Sequence, residues 1–147
     1  MRVIITLIAF FLLDSCSCGR HIDVVSIRII SFNQHPTLVD HDRKLVTIDK
    51  NGKIIDNLKI YPDTGNGCNS YLFDTTDKYV LIDCNGQWYS IGKRTGLIRN
   101  EGWKWLEALP TVQLGAFRRI YNEVNYKLLT ETKATLIDVY KYKDSND

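Results

Sequence analysis

From about Ile22 to Phe32 apolar and polar residues alternate in a stretch rich in Val and Ile, the period-2 mark of a half-buried strand. Asn33-Gln34-His35-Pro36 breaks it. Leu45-Val46-Thr47-Ile48-Asp49 reads as a second strand, and Lys53-Ile54-Ile55 opens a third. Asn51-Gly52 between them is a strong hairpin signal, since a type I′ turn needs φ > 0 at both central positions. A Gly- and Asn-rich loop over 62–67 leads to Tyr71-Leu72-Phe73, a short strand closed by Asp74-Thr75-Thr76-Asp77. Tyr79 to Asp83, Gln87 to Ile91 and Leu97-Ile98 follow as strands, turned by Asn85-Gly86 and by Gly92 to Gly96.

The C-terminal third changes period. Trp103, Trp105, Leu106 and Leu109 form a dense apolar stretch ending at Pro110, a short helix or packed loop. Leu114, Phe117, Ile120, Tyr121, Val124 and Leu128 then recur at three- and four-residue spacing, which predicts an amphipathic helix over about Val112 to Thr130. Thr135-Leu136-Ile137-Asp138 reads either as the capped start of a last short helix or as a final strand to Tyr142.

Leu45 to Gly52 and Tyr79 to Gly86 share Val, Ile, Asp, Asn and Gly at matching positions. Two strong hairpins acquire such a pattern by convergence. The alternative is a duplicated meander unit, but a closed propeller needs at least four blades and does not fit this length. The elements together predict an α+β domain over 19–147. It is an antiparallel meander of about six or seven short strands with the C-terminal amphipathic helix packed on it.

Composition adds limits. The chain has 147 residues, 44% hydrophobic and 24% charged, with 9 Gly and 3 Pro, which is ordinary globular usage for one domain. Its 19 basic and 17 acidic residues nearly balance at +2, so charge gives no case for a nucleic-acid partner.

Arg2 precedes an apolar run from Val3 to Leu13, too short to span a bilayer and of the length of a signal-peptide core, with small residues after it. Residues 1–18 are therefore expected to be an export signal. Leu13-Asp14-Ser15-Cys16 resembles a bacterial lipobox, although Asp14 stands where that motif has a small or apolar residue. The resemblance implies a lipidated Cys16 and a membrane anchor. Cleavage near Ser17 or Gly19 would instead release a soluble exported protein. Of the four Cys residues, Cys16 and Cys18 lie in this segment, whereas Cys68 and Cys84 lie in the body and are expected to form a disulfide on export.

Site chemistry is sparse. His35 and His41 flank a loop with Asp40 and Asp42, but the spacing matches no zinc signature, and a solvated loop is expected. Asp49-x-Asn51-Gly52 and Asp83-x-Asn85-Gly86 lack the remaining oxygens of a calcium loop. There is no Gly-x-Ser-x-Gly, His-Glu-x-x-His or P-loop. No cofactor, metal or catalytic residue is assigned. The one feature with binding potential is the cluster Trp88, Tyr89, Arg94, Arg99, Trp103, Lys104 and Trp105, since aromatic and Arg residues dominate binding hot spots and aromatic faces stack on sugars. One amphipathic helix covers only one sheet face, so Trp88 or Tyr89 should be partly exposed. The resulting expectation is a non-enzymatic exported protein of the cell envelope or periplasm, inhibitor- or immunity-like, with a protein or glycan partner. Any membrane contact would come through the lipid anchor. The alternative is a small exported hydrolase whose site is not visible in the sequence.

Overall fold

The computed structural model describes residues 24–34, 41–65, 68–104, 107–120, 126–131 and 134. They hold nine strands: β1 (Val24–Gln34), β2 (His41–Asp49), β3 (Ile54–Asp63), β4 (Ser70–Asp74), β5 (Lys78–Ile82), β6 (Gln87–Gly92), β7 (Ile98–Trp103), β8 (Val112–Arg119) and β9 (Tyr126–Leu129). These form two antiparallel sheets, a three-stranded one in the order β1-β2-β3 and a six-stranded one in the order β7-β6-β5-β4-β8-β9. Their edges approach on both sides, β1 beside β9 and β3 beside β7. Two bonds stitch the second side: Thr47 Oγ1 donates to the Gly96 carbonyl at 2.7 Å, and the Ile98 N–H to Asp56 Oδ2 at 2.8 Å.

The first six strands overlap the stretches where alternation places them, with β2 beginning four residues earlier, whereas β7 runs on from Ile98 to Trp103, so Trp103 ends a strand instead of opening a short helix or packed loop. The expected C-terminal helix is overturned: among the described residues there is no helix, and the fold is all-β rather than α+β. Most of that window is the β8–β9 pair, with Phe117 opposite Leu128 and Arg119 opposite Tyr126. The physical reason is a β-bulge. Leu72 pairs with Gly115 and Phe73 with Gln113, so Leu114 is an extra residue in β8. The bulge resets the alternation, and Leu114 and Phe117 pack on the same core although three residues apart. A strand with one insertion thus imitates helical spacing. Gly115 lies at φ +152, and a Cβ there would come within 2.5 Å of the Leu129 carbonyl oxygen, which is why the β8–β9 approach requires glycine.

Both Asn-Gly hairpins form, but not as two-residue turns. Gly52 N–H bonds the Asp49 carbonyl and Gly86 N–H the Asp83 carbonyl, so each reversal is a four-residue turn with Asp first and Gly last. The shared Asp-x-Asn-Gly pattern is explained by this common geometry. The two carboxylates then diverge. Asp49 accepts the backbone N–H groups of Asn51 and Lys53 in its own turn, whereas Asp83 is directed inward.

The six-stranded sheet is covered on both faces. Its inner face meets the small sheet: Ile29, Leu45 and Ile60 pack with Leu72, Leu81, Tyr89, Ile91, Phe117 and Tyr126. Its outer face carries a second cluster of Tyr71, Phe73, Val80, Ile82, Trp88 and Ala116, with Leu109 and Ala134 packed against it. Among the described residues, Leu109 between β7 and β8 and Ala134 after β9 lie on that face, and no helix does. The Gln113 side chain accepts the Ala134 N–H at 2.8 Å and holds it there.

Candidate functional site

The body cysteines are joined. Cys68 precedes β4, and Cys84 lies in the turn after β5, the neighbouring strand, so both reach one end of the sheet with Cα atoms 5.3 Å apart. A bridge between residues 16 apart contributes about 3 kcal/mol in the chain-entropy model.

A buried ionic cluster surrounds this disulfide. Along β2, residues His41, Arg43, Leu45 and Thr47 all point inward. Arg43, which alternation places beside Leu45 and Thr47, is fully buried. Its Nη2 bonds both oxygens of Asp83 at 2.9 and 3.0 Å and lies 2.8 Å from Cys68 Sγ. Nη1 donates to Ser70 Oγ at 3.0 Å, and Nε to the Tyr61 carbonyl at 2.7 Å. The Ser70 hydroxyl donates to Asp83 Oδ1 at 2.6 Å, and the Tyr126 ring lies 5.3 Å from the guanidinium carbon. Tyr126 in turn donates to Asp63 Oδ2 at 2.5 Å. One side chain from the small sheet thereby holds β3, β4, the turn after β5 and β9 together. Cys68, Asp83 and Cys84 lie close enough to suggest a metal site. The disulfide uses both sulfurs, however, and Arg43 already supplies the positive charge beside Asp83.

The expected solvated loop at His41 is corrected. His41 and Asp42 begin β2, His41 is buried, and Asp42 pairs with Lys59 at 3.1 Å. His35 lies outside the described residues, as do Cys16, Cys18, the whole signal segment, Trp105 and the Thr135–Tyr142 stretch.

Burial raises the phenol pKa of both Tyr89 and Tyr126 well above the ordinary 10.0; the Asp83 charge adds to this at Tyr89, and the bond to Asp63 at Tyr126. The native state therefore keeps two protons that the unfolded chain releases. This contribution to stability is fully present below pH 10 and is lost as pH rises above it. In an alkaline titration followed by phenolate absorbance, two of the 8 tyrosines should ionise only as the protein unfolds. Ionisation of every tyrosine near pH 10 with the fold intact would contradict this placement.

The aromatic and basic cluster is dispersed by the fold. Trp88 and Tyr89 face opposite sides of β6, and both are buried, at 5% and 1% exposure, in the outer and inner cores respectively. The expectation that one of them is exposed fails because both faces of the sheet are covered. Lys104 lies over the Trp88 ring at 5.4 Å and pairs with Glu107 at 3.5 Å. Arg94 sits in the turn between β6 and β7, at the far end of that hairpin from Trp103 and about 15–20 Å away at the rise of a strand. Arg99 is exposed on edge strand β7, opposite Ser90. Trp103 is 54% exposed and is held by its indole N–H, which donates to the Asn85 carbonyl at 3.1 Å. Between Arg99 and Trp103, the Glu101 carboxyl is held below its ordinary pKa, first by the Ser90 hydroxyl and then by Lys78 and Lys104. No known family model, no curated protein and no solved structure matches the chain.

Proposed function

We propose that this protein is an exported, non-enzymatic binding domain of the cell envelope that holds a protein or glycan partner through Trp103 and the exposed part of β7. The observation that carries the reading is the state of Trp103. More than half of a large indole is left in water, on an edge strand, while its N–H is fixed to the Asn85 turn. A side chain immobilised before binding loses little entropy on contact, and Trp is among the residues that most often dominate an interface. Its free face suits either an apolar pocket or a sugar ring. Arg99 and Asn100, exposed on the same edge, supply polar contacts beside it.

Export is supported by the signal-like segment and by the Cys68–Cys84 bridge, which is compatible with an oxidising compartment. Lipidation at Cys16 would keep the domain at a membrane surface. The buried polar cluster supports binding over hydrolysis, because Arg43, Asp63, Ser70 and Asp83 are buried and bonded into the frame rather than presented to a substrate.

The test is capture from envelope extracts by the full chain and by its Trp103→Ala form. The substitution should weaken retention of the captured partner by about 2 kcal/mol or more and leave the melting temperature nearly unchanged. Equal retention by both proteins would remove Trp103 from the interface.

A further inference from the structure

Three of the exposed large aliphatic residues collect at one end of the molecule, and the first described strand begins at that same end. Val24, the start of β1, pairs with Asp49 at the finish of β2. The Asp49–Gly52 turn and Ile54 follow there. The bonds from Thr47 to Gly96 and from Ile98 to Asp56 bring the turn between β6 and β7, with Leu97, beside them. Val112 joins through its pairing with Asp74, since the Asp74–Lys78 turn lies next to Gly92. Ile54, Leu97 and Val112 are 52%, 49% and 54% exposed. Trp103, the disulfide and the Arg43 cluster lie at the opposite end.

We propose that this end rests on a lipid bilayer, with Ile54 and Leu97 entering the headgroup boundary and Trp103 directed away from the membrane. The orientation rests on the reading of Cys16 as a lipidated anchor. Cys16 and Val24 are eight positions apart in the chain, a distance of at most about 29 Å when fully extended. β1 alone has 11 residues, roughly 33–36 Å of strand. For the disulfide end to face the bilayer, the tether would have to run back along that whole length, which it cannot reach. With the Val24 end down, a short tether suffices.

The local charges fit a lipid boundary without demanding an anionic one. Lys50 and Lys53 beside Ile54, and Arg94 near Leu97, are exposed, and among the described residues none has an ion pair. The nearby carboxylates are occupied: Asp49 by its own turn, Asp56 by the Ile98 N–H, and Asp74 by Lys93. Asp77 and Glu131 are exposed acids that offset most of the remaining charge. Attachment is therefore carried by aliphatic contact and the tether, with the long basic side chains reaching the headgroups.

The full chain, in host membranes and separately with added phosphatidylethanolamine–phosphatidylglycerol vesicles, is illuminated with a phospholipid carrying a photoreactive headgroup. Adducts are mapped by mass spectrometry. Labelling should concentrate on 50–54, 94–97 and 112, and fall about tenfold in the Ile54→Ser/Leu97→Ser variant. Uniform labelling, no labelling, or labelling centred on Trp103 would overturn the orientation. The acyl mass on Cys16 is read in the same spectra. Its absence with labelling at Ile54 and Leu97 would remove the anchor and keep the lipid-facing end, while its presence with labelling at Trp103 would do the reverse.

Discussion

Replacing Arg43 with leucine should cost about 3–5 kcal/mol, enough to unfold much of a domain of ordinary stability. The substitution leaves the Asp83 carboxylate fully buried and without its cation, in a space from which water is excluded. Ser70 and the Cys84 N–H still donate to that carboxylate, but two hydrogen bonds from neutral groups do not replace the guanidinium charge at Nη2, which reaches both of its oxygens. The Tyr61 carbonyl also loses its donor. The pair itself need not be strongly stabilising, since both ions were desolvated to form it. The Arg43→Leu/Asp83→Leu double variant should therefore cost clearly less than the sum of the two single changes. Urea unfolding of the four proteins, followed by circular dichroism, measures this. A single-variant loss under about 1 kcal/mol would show that Asp83 is reached by water.

Trp88→Ala should be nearly as damaging, at about 3–5 kcal/mol. Trp88 fills the outer face of the six-stranded sheet among Tyr71, Phe73, Val80, Ile82 and Ala116. The connecting segments above it have little reason to collapse into the space it leaves, and Lys104 would lose the ring beneath it. Trp103→Ala, by contrast, removes a side chain that is mostly in water and should change stability by no more than about 0.5 kcal/mol. Thermal unfolding of the two variants separates core from surface. A stable Trp88→Ala protein would mean that the outer face is not closed.

Much of the sheet was legible because alternation is a direct consequence of backbone geometry. Six strands, the start of β7 and both Asn-Gly hairpins follow from it, and the Cys68–Cys84 bridge follows from where those strands end. The C-terminal third was misread because one bulged residue, Leu114, converts a period of two into an apparent period of three. A signal was present: Gly115 inside an expected helix costs about 1 kcal/mol relative to alanine, and a glycine inside a strand often marks a bulge or a close backbone approach.

The buried cluster was partly legible. Arg43 is two residues before Leu45 and four before Thr47, so extending the second strand by one alternation places it in the interior. Its partner Asp83 was hidden by its likeness to Asp49. The two occupy the same turn position, and only the packing of the second sheet distinguishes a turn-capping carboxylate from one aimed inward. The described residues of the aromatic and basic cluster are spread apart for a different reason. Neighbours in sequence on a strand point to opposite faces, and the two ends of a hairpin are distant, so a run from Trp88 to Lys104 is no single surface once both faces are covered.

The central claim is that Trp103, at the end of β7, is the contact point for a partner. Placing a photoreactive phenylalanine analogue at position 103 in the full chain, and separately at the exposed Leu128 on β9, tests it most directly in intact envelopes. The account predicts one discrete adduct from position 103 that is absent from position 128. The same adducts from both positions, or none from position 103, would contradict it.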